Sequence, residues 1–332
     1  MKQAVIDIGS NSMRLTLYEI KDGRFKILFR EKNMAGLAGY VEKGVLTKDG
    51  IACACSGLED FRETLASLQI DDAAVFATAS LRNINNTEEA LAAIREETGY
   101  QVEVISGEEE ALLGYYGAMK ELNIRSGAFI DIGGASTEAV TFQEGIPQDL
   151  VSFHIGSLSL YKACVKKILP GDSAQHQIDK KIREEVEKEE ATFYRPRTPL
   201  VCVGGTGRAV MKIASRYFHL PKEQNWLTAR QLEEIGDVLR SGKKEASDLI
   251  LKYESDRIHT LIPGLLILQY MFHRFHAEEV IFSKYGVREG YLCQKLLSDD
   301  TAIQRTENYA GCSSIRESWR KQRIRTIRCW NV

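Results

Sequence analysis

Two short segments of the chain carry residues suited to chemistry, and both follow one pattern. Each has a carboxylate at the end of an apolar stretch and then small and hydroxyl residues, in Asp7-Ile8-Gly9-Ser10-Asn11-Ser12 and in Asp131-Ile132-Gly133-Gly134-Ala135-Ser136-Thr137-Glu138. Backbone N–H groups can converge in a turn of small residues and bind an oxyanion there. We name residues 9–12 the first turn and residues 133–136 the second turn.

A single turn of this kind would favour a plain β-hairpin, in which glycine permits the turn and aspartate makes an Asx-type bond. Two copies favour phosphate binding instead. The residues of the two turns that we predict to contact phosphate are Ser10, Asn11, Ser12, Gly133, Gly134, Ala135 and Ser136.

Asp131 and Glu138 flank the second turn and are the predicted metal ligands. Hard carboxylate oxygens suit Mg²⁺ or Mn²⁺, and such a cation commonly shares its coordination shell with substrate phosphate oxygens. For Glu138, an exposed position on a strand is an equally good interpretation. The sequence therefore predicts a divalent cation beside the second turn.

Glu110 is the candidate general base. The run 108–110 follows Ser106 at the predicted start of a helix, where acidic side chains favour the helix dipole, and this accounts well for the first two glutamates. Glu110 shares its helix face with Gly114 and Gly117, and each interior glycine costs about 1 kcal/mol relative to alanine. Either another backbone or a substrate must come close there. In the second case Glu110 could take a proton from water.

Two further positions could bind phosphate. Arg82 follows a predicted buried strand, and its guanidinium could hold phosphate in a fork, although a surface arginine is an equally good interpretation. The segment Gly204-Gly205-Thr206 follows an apolar stretch and begins a predicted helix, as at anion sites on helix N-termini. His273 and His276 are better explained as polar residues at a helix end than as a metal site.

The elements that position these residues alternate as in an α/β protein. Apolar stretches predict strands at 4–8, 13–20, 25–29, 73–77 and 101–105, and helices at 47–68, 86–99 and 106–121. Thr47, Asn86 and Ser106 are the predicted N-caps of these helices.

The second half of the chain repeats the start of the first. At an offset of 124 residues the same types recur, Ala4, Ile6, Asp7, Ile8, Gly9 and Ser12 matching Ala128, Ile130, Asp131, Ile132, Gly133 and Ser136. We therefore predict a duplicated fold with a boundary near 123–126.

The predicted domains are residues 1–123 and 124–300, followed by a basic tail at 301–332. In the second domain we expect strands at 200–203 and 279–282, a charged helix over 179–190 with a narrow apolar stripe, and a helix at 288–297. The tail is expected to be an appendage rather than an anion-binding element.

Composition narrows the class of partner. Lysine and arginine number 44 against 46 acidic residues, for a net charge of −2. No global field would attract a polyanion, so local geometry must hold any anionic ligand, and we expect no nucleic acid partner. The longest apolar stretch, 261–268, is too short to span a membrane. The N-terminus lacks a signal sequence and the seven cysteines form no C-x-x-C pair, which favours the reducing cytoplasm.

Six segments, in order, resemble the exopolyphosphatase and guanosine-pentaphosphate phosphohydrolase family of the actin-like, sugar-kinase and heat-shock-chaperone superfamily. They are AVIDIGSNS at 4–12, ATASLR at 77–82, ISGEEEA at 105–111, DIGGASTE at 131–138, GGT at 204–206 and SKYGVREG at 283–290. The resemblance implies two ribonuclease-H-like domains with the active site in the cleft between them. It also implies magnesium-dependent removal of the terminal phosphate from inorganic polyphosphate, or of the 5′-terminal phosphate from guanosine pentaphosphate.

Matched residue by residue, the resemblance gives Glu110 the role of the base that activates water and places Asp131 and Glu138 near the metal. It assigns phosphate contacts to the two turns and to Arg82. The sequence departs from the family pattern where Leu112 and Gly36 stand in place of arginines and where Ala135 replaces a glycine; it also ends before the helical domain of longer members. The two missing cations motivate an alternative, a non-enzymatic protein that binds polyphosphate or guanosine tetraphosphate.

An actin-like ATPase or sugar kinase would share the duplicated turns. Whether K⁺ activates the protein and whether it forms a homodimer are left open by the sequence.

Overall fold

The computed structural model describes residues 1–188 and 197–297. The predicted tail at 301–332 and the end of the helix predicted over 179–190 lie outside these residues. Within them, the chain forms two large sheets of five and six strands, each flanked by helices, and a separate two-stranded hairpin.

The first sheet is built from residues 2–104 and has the strand order β3-β2-β1-β6-β7. β1 pairs antiparallel with β2 and parallel with β6, which in turn pairs parallel with β7. Its elements, with the helix that follows, are β1 (Lys2–Ile8), β2 (Met13–Lys21), β3 (Arg24–Asn33), the hairpin β4 (Val41–Glu42) and β5 (Val45–Leu46), α1 (Lys48–Ser67), β6 (Ala73–Ala77), α2 (Ala79–Arg82), α3 (Thr87–Thr98), β7 (Val102–Val104) and α4 (Gly107–Glu121).

The second sheet has the order β10-β9-β8-β11-β13-β12. Its strands are β8 (Gly127–Ile132), β9 (Thr137–Gln143), β10 (Ile146–Phe153), β11 (Leu200–Val203), β12 (Trp226–Thr228) and β13 (Glu279–Phe282). Its helices are α5 (Ser157–Cys164), α6 (Asp172–Val186), α7 (Gly204–Tyr217), α8 (Ala229–Arg240), α9 (Lys244–Glu254) and α10 (Leu261–Arg274). The final helix, α11 (Val287–Tyr291), continues as a π-helical turn at Leu292–Leu296.

The strand pairing confirms the predicted duplication. β1–β2 and β8–β9 are antiparallel hairpins that occupy the same position in their sheets, next to a parallel strand. In the first hairpin Asp7 lies opposite Arg14, and in the second Asp131 lies opposite Glu138. Each turn therefore follows a central strand at its carboxyl end, where parallel neighbours also end.

The predicted cap hydrogen bonds form in two of three places. The hydroxyls of Thr47 and Ser106 accept hydrogen bonds from the third residue of α1 and α4, as predicted. Asn86 occupies the N-cap position of α3, as predicted, but its side chain makes no cap bond. It instead accepts a hydrogen bond from Leu46 N–H and donates one to the Leu46 carbonyl, which fastens the β4–β5 hairpin to α3.

The surroundings of the α4 glycines show whether a backbone or a substrate approaches this helix. A Cβ on Gly117 would lie 1.9 Å from the carbonyl oxygen of Gly286, and a Cβ on Gly290 would lie 1.9 Å from the carbonyl oxygen of Leu113. Both glycines therefore serve close packing of α4 against α11, so another backbone is what approaches. Gly114 similarly faces the ring of Phe129.

The last described segment returns to the first sheet. Residues 287–297, which the sequence places with the second half, share a buried apolar cluster with Val5, Tyr18 and Phe76. The Tyr291 ring stacks on Phe76 at 4.7 Å. The chain thus passes from the first sheet to the second through α4 and returns to the first through α11.

The charged helix α6 shows the narrow stripe that its sequence predicts, with Ile178, Ile182 and Val186 fully buried. The apolar stretch at 261–268 lies in α10. In the two described parts of the chain, no helix has both the length and the apolar character that crossing a bilayer requires.

Candidate active site

The two turns line one cleft between the sheets, with an open volume of about 910 Å³. They come within contact of each other, since a Cβ on Gly134 would lie 3.4 Å from the Cβ of Asn11. The predicted phosphate-contacting residues that line the cleft are Ser10, Asn11, Ser12, Gly133, Gly134, Ala135 and Ser136. The structure therefore brings together both turns, as the sequence predicts.

The first glycine of each turn has the same local geometry. A Cβ on Gly9 would lie 2.9 Å from the carbonyl oxygen of Ser12, and a Cβ on Gly133 would lie 2.9 Å from that of Ser136. A side chain at either position would push the turn open. Glycine is thus required by the tightness of the turn in both halves.

Each turn is held from behind by a different element. The N–H groups of Gly36 and Ala38 donate to the carbonyls of Asn11 and Ser10, at 3.1 and 2.9 Å, and fix the first turn. The second turn is fixed by the N-terminus of α5, where Ser157 N–H donates to the Gly133 carbonyl at 2.9 Å. Leu158 and Ser159 N–H groups both donate to the Gly134 carbonyl at 2.9 Å.

Glu110 lies near the N-terminus of α4 and lines the cleft, where its side chain is mostly buried. Arg82 Nη1 donates to its Oε2 at 2.7 Å and to the Ile105 carbonyl at 3.1 Å. Burial, and then the charge of Glu138, hold the pKa of Glu110 well above its usual range, although Arg82 opposes both effects. Arg82 orients this carboxylate, and the raised pKa makes it a stronger proton acceptor than an exposed glutamate.

Glu138 lies deeper than its predicted role as a metal ligand requires. It is 1% exposed and is not among the residues that line the cleft. Ser152 Oγ donates to its Oε1 at 2.8 Å, and Arg82 Nη2 lies 3.8 Å from the same oxygen. Burial and the nearby charge of Asp131 raise the pKa of Glu138 to about 7.

Arg82, predicted to contact phosphate, is likewise absent from the cleft lining; its guanidinium lies between Glu110 and Glu138. It orients the predicted base from behind. In this arrangement its positive charge already interacts with the carboxylates of Glu110 and Glu138.

The third predicted phosphate segment is divided. Gly204 and Gly205 line the cleft, but Thr206 is 2% exposed and faces Gly264, whose Cβ would lie 2.4 Å from the threonine hydroxyl. Gly204 adopts a φ of 90°, and its Cβ would lie 2.6 Å from Asp131 Oδ1. Gly204 thus allows the carboxylate of Asp131 to approach the start of α7.

Among the described residues, four arginines that we did not predict line the cleft: Arg14, Arg208, Arg257 and Arg288. Burial and mutual repulsion lower the pKa of Arg14 to about 10 and that of Arg208 to about 9. Arg288 donates to Thr16 Oγ1 at 2.8 Å and its Nε lies 3.9 Å from Asp7 Oδ2. Buried guanidiniums that repel one another form a strong site for a polyanion.

Two of these arginines carried a signal in the sequence. Arg14 is two residues beyond Ser12 on a strand, hence on the same face. Arg208 is four residues beyond Gly204 on a helix, hence one turn inside the predicted anion site. Arg257 lies far along the chain, between α9 and α10, and only the folded structure places its guanidinium over Gly205, whose Cβ would lie 2.3 Å from Nη2.

The comparisons with known proteins agree with this geometry. The model of the Ppx/GppA phosphatase family matches residues 16–299. The chain belongs to this family. Exopolyphosphatase 1 of Mycobacterium tuberculosis is 23% identical over 325 residues, which cover 95% of this chain and 94% of that protein. The crystal structure of the Aquifex aeolicus member of the Ppx/GppA family is 26% identical, covers 90% of this chain and 99% of that chain, and has a TM-score of 0.73.

A further relative is named for a different substrate. Guanosine-5′-triphosphate,3′-diphosphate pyrophosphatase of Pseudoalteromonas atlantica is 34% identical over 158 residues, which cover 47% of this chain and 31% of that protein. The family assignment confirms the predicted α/β fold with two actin-like ATPase domains.

The two departures from the Ppx/GppA family pattern that replace an arginine do not leave the cleft without positive charge. Gly36 adopts a φ of 60°, a conformation that strains other residues, and its N–H supports the first turn. Leu112 is buried in an apolar cluster with Tyr115 and Phe129. Both positions are structural here, and the four arginines supply the positive charge.

The carboxylates of the cleft are compatible with a divalent cation. Asp7, Glu110 and Asp131 line it, and burial raises the pKa of Asp131 to about 6. No group of three or more acidic, histidine or cysteine side chains able to hold a metal occurs in residues 1–188 and 197–297. Mg²⁺ needs only one or two protein carboxylates when water and phosphate oxygens complete its octahedron. Asp131 with Asp7 fits that requirement, whereas Glu138 lies behind the cleft.

Proposed function

We propose that this protein hydrolyses the terminal phosphoanhydride bond of inorganic polyphosphate. The observation that carries the proposal is the cleft itself, in which two glycine turns and four of the described arginines surround a buried glutamate. A chain of phosphates presents repeated negative charge without a base or sugar, and it matches a site made of backbone turns and guanidiniums.

The reaction needs a water molecule, a base and a means of stabilising charge on the phosphoryl group. Glu110 accepts the proton of the attacking water, and Arg82 holds its carboxylate in position. The arginines and the turns bind the phosphoryl oxygens as their charge develops. A bound Mg²⁺, held by Asp131 and Asp7, would add Lewis-acid polarisation of those oxygens.

Guanosine pentaphosphate is the second candidate substrate. The observation in its favour is the Pseudoalteromonas atlantica relative, whose name specifies that nucleotide and whose match covers 47% of this chain. Its 5′-terminal phosphate carries the same anhydride, so the same residues would act on it.

The test is orthophosphate release by the purified protein with Mg²⁺ from polyphosphate, guanosine pentaphosphate and ATP. We expect polyphosphate to give the highest kcat/KM. Glu110→Gln should lower kcat by about 10³-fold, within the usual range for a general base. Glu108→Gln, a change on the exposed side of the same helical turn, is the control and should leave kcat within twofold.

Equal rates for Glu110→Gln and the wild type would remove Glu110 as the base. Tight binding of polyphosphate without phosphate release would instead show a non-catalytic binding protein. Preferred hydrolysis of ATP would indicate an actin-like ATPase.

A further inference from the structure

Two contacts close to cleft-lining residues join the half of the molecule that contains the first sheet to the half that contains the second. Lys162 Nζ, on α5, donates to the carbonyl of Ala38 at 2.7 Å. Lys32 Nζ, on β3, contacts Asp256 Oδ2 at 2.7 Å. We name these two contacts the cross-cleft ties.

The Lys162 tie joins the supports of both turns. Its helix, α5, holds the second turn through the N–H groups of Ser157 and its neighbours. Its acceptor, Ala38, donates its own N–H to the Ser10 carbonyl and so holds the first turn. The two turns are therefore connected through α5, the Lys162 side chain and the backbone of Ala38.

The Lys32 tie lies next to two of the cleft arginines. Lys32 is the cross-strand partner of Arg14, and Asp256 directly precedes Arg257 in the chain. Arg14 and Arg257 both line the cleft, from opposite halves. Contact between Lys32 and Asp256 therefore links the two backbone segments that carry these arginines.

We propose that Lys162 and Asp256 are positioning residues, which hold the two turns and the two arginines at the spacing that binds a phosphate chain. The inference rests on the proposed function for the identity of the bound anion. Neither residue is among those that line the cleft. Their effect is on substrate affinity, because without the ties the bound substrate must itself bring the halves together.

Tripolyphosphate in EDTA is the probe, because it measures binding by titration calorimetry without turnover. Lys162→Met is expected to raise Kd about fivefold, the effect of losing one exposed charge-assisted hydrogen bond. Lys166→Met removes the same charge from an exposed lysine just beyond α5 and should change Kd less than twofold. Lys162→Arg retains a cationic donor and should restore most of the affinity.

Asp256→Asn separates positioning from simple attraction. Removing a negative charge near the cleft would tighten the binding of an anion if charge alone mattered. Loss of the tie predicts the opposite, a Kd raised about threefold at constant kcat. Asp248→Asn, on the exposed surface of α9, is the matched control.

Hydrogen exchange of the free protein gives a readout that needs no ligand. In Lys162→Met, the backbone amide hydrogens of residues 36–40 should exchange several times faster than they do in Lys166→Met. Unchanged exchange there, or unchanged or tighter tripolyphosphate binding by Lys162→Met and Asp256→Asn, would overturn the inference. If the wild type binds tripolyphosphate and the variants show these effects, but the wild type releases no phosphate with Mg²⁺, the proposed function fails while the positioning role stands.

Discussion

Opposite charges are buried side by side in the cleft, and their burial sets the protonation of each carboxyl group. The pKa values of Asp131 and Glu138 rise to about 6 and about 7, chiefly through desolvation. Glu110 shifts in the same direction for the same reason. At neutral pH Asp131 and Glu138 are close to the point at which they exchange protons, and the upward shift of the Glu110 pKa favours its action as a proton acceptor.

Stability should therefore depend on pH in the free protein. Because the folded pKa of Glu138 lies above the unfolded value of 4.5, the native state binds more protons than the unfolded chain between pH 4.5 and about 7. Stability is greatest below the lower value and falls as pH rises through the upper one. We expect Tm, measured by calorimetry without metal, to decrease from pH 5 to pH 7.5.

Glu138→Gln should remove much of that dependence. The amide keeps an acceptor for Ser152 Oγ but no charge, so we expect Tm at pH 7.5 to rise by about 2 °C, or roughly 1 kcal/mol. Glu144→Gln, at a side chain that is 66% exposed, should leave Tm unchanged. A lower Tm for Glu138→Gln at pH 7.5 would show that Arg82 compensates the buried charge fully.

Catalysis should show the opposite pH dependence. As Glu110 must lose its proton to act as a base, kcat should fall as pH decreases through the raised pKa of Glu110, and the decrease should be absent from the residual rate of Glu110→Gln. A kcat that is constant from pH 5 to pH 8 would contradict this role.

Local sequence patterns predicted the residues whose positions are set by neighbouring parts of the chain. The two turns, Glu110 and Asp131 could be found because each is fixed by strand ends and helix caps within a few residues. The sequence located Glu138 but not its burial behind the cleft, since strand alternation does not say which face meets the cleft. Arg257 was missed because it approaches Gly205 only after the chain has passed through β12, α8 and α9. Distance along the chain, more than residue type, limited the prediction.

At the scale of elements, α4 and α11 are joined more closely than any side chain between them would allow. Gly117 and Gly290 each face a backbone carbonyl of the other helix. The sequence showed that the glycines on α4 leave room for a neighbouring group, but a spacing pattern alone cannot tell whether that group is a substrate or a helix. The partner is α11, whose glycines complete the contact.

Gly117→Ala should therefore be strongly destabilising. Its Cβ cannot fit at 1.9 Å from the Gly286 carbonyl oxygen, so the helices must separate, with a cost of about 2–3 kcal/mol or more. Gly171→Ala is the control for adding a methyl group without a clash, because no atom lies within 4 Å of its Cβ; as the N-cap of α6 it should cost no more than about 1 kcal/mol. Urea titration measures both. Equal midpoints would contradict the packing described here.

At the scale of the whole molecule, the chain starts in the first sheet, builds the second and returns. Lys295, in the π-helical turn that follows α11, reaches back to Glu103 and Glu109 at 2.8 and 2.6 Å. Tyr291 O–H also donates to Glu103 at 2.7 Å. The two halves therefore share buried surface and ion pairs as well as covalent connections.

Unfolding of the free protein should consequently be one cooperative transition, with equal calorimetric and van't Hoff enthalpies. Tripolyphosphate should raise the Tm of that transition without splitting it, by the equivalent of about 2.7 kcal/mol at 100 times Kd. Two separate peaks, only one of which responds to the anion, would show that the halves unfold independently and that one of them alone binds it.

The two passages of the chain between the halves are fastened together. Glu121, at the end of α4, accepts hydrogen bonds from Ser283 Oγ at 2.8 Å and from Lys284 N–H at 2.6 Å, just before α11. Two joined connections resist twisting, whereas a single connection would swivel freely. Twisting of one half against the other would have to break these two hydrogen bonds, so we expect them to persist whether or not an anion occupies the cleft.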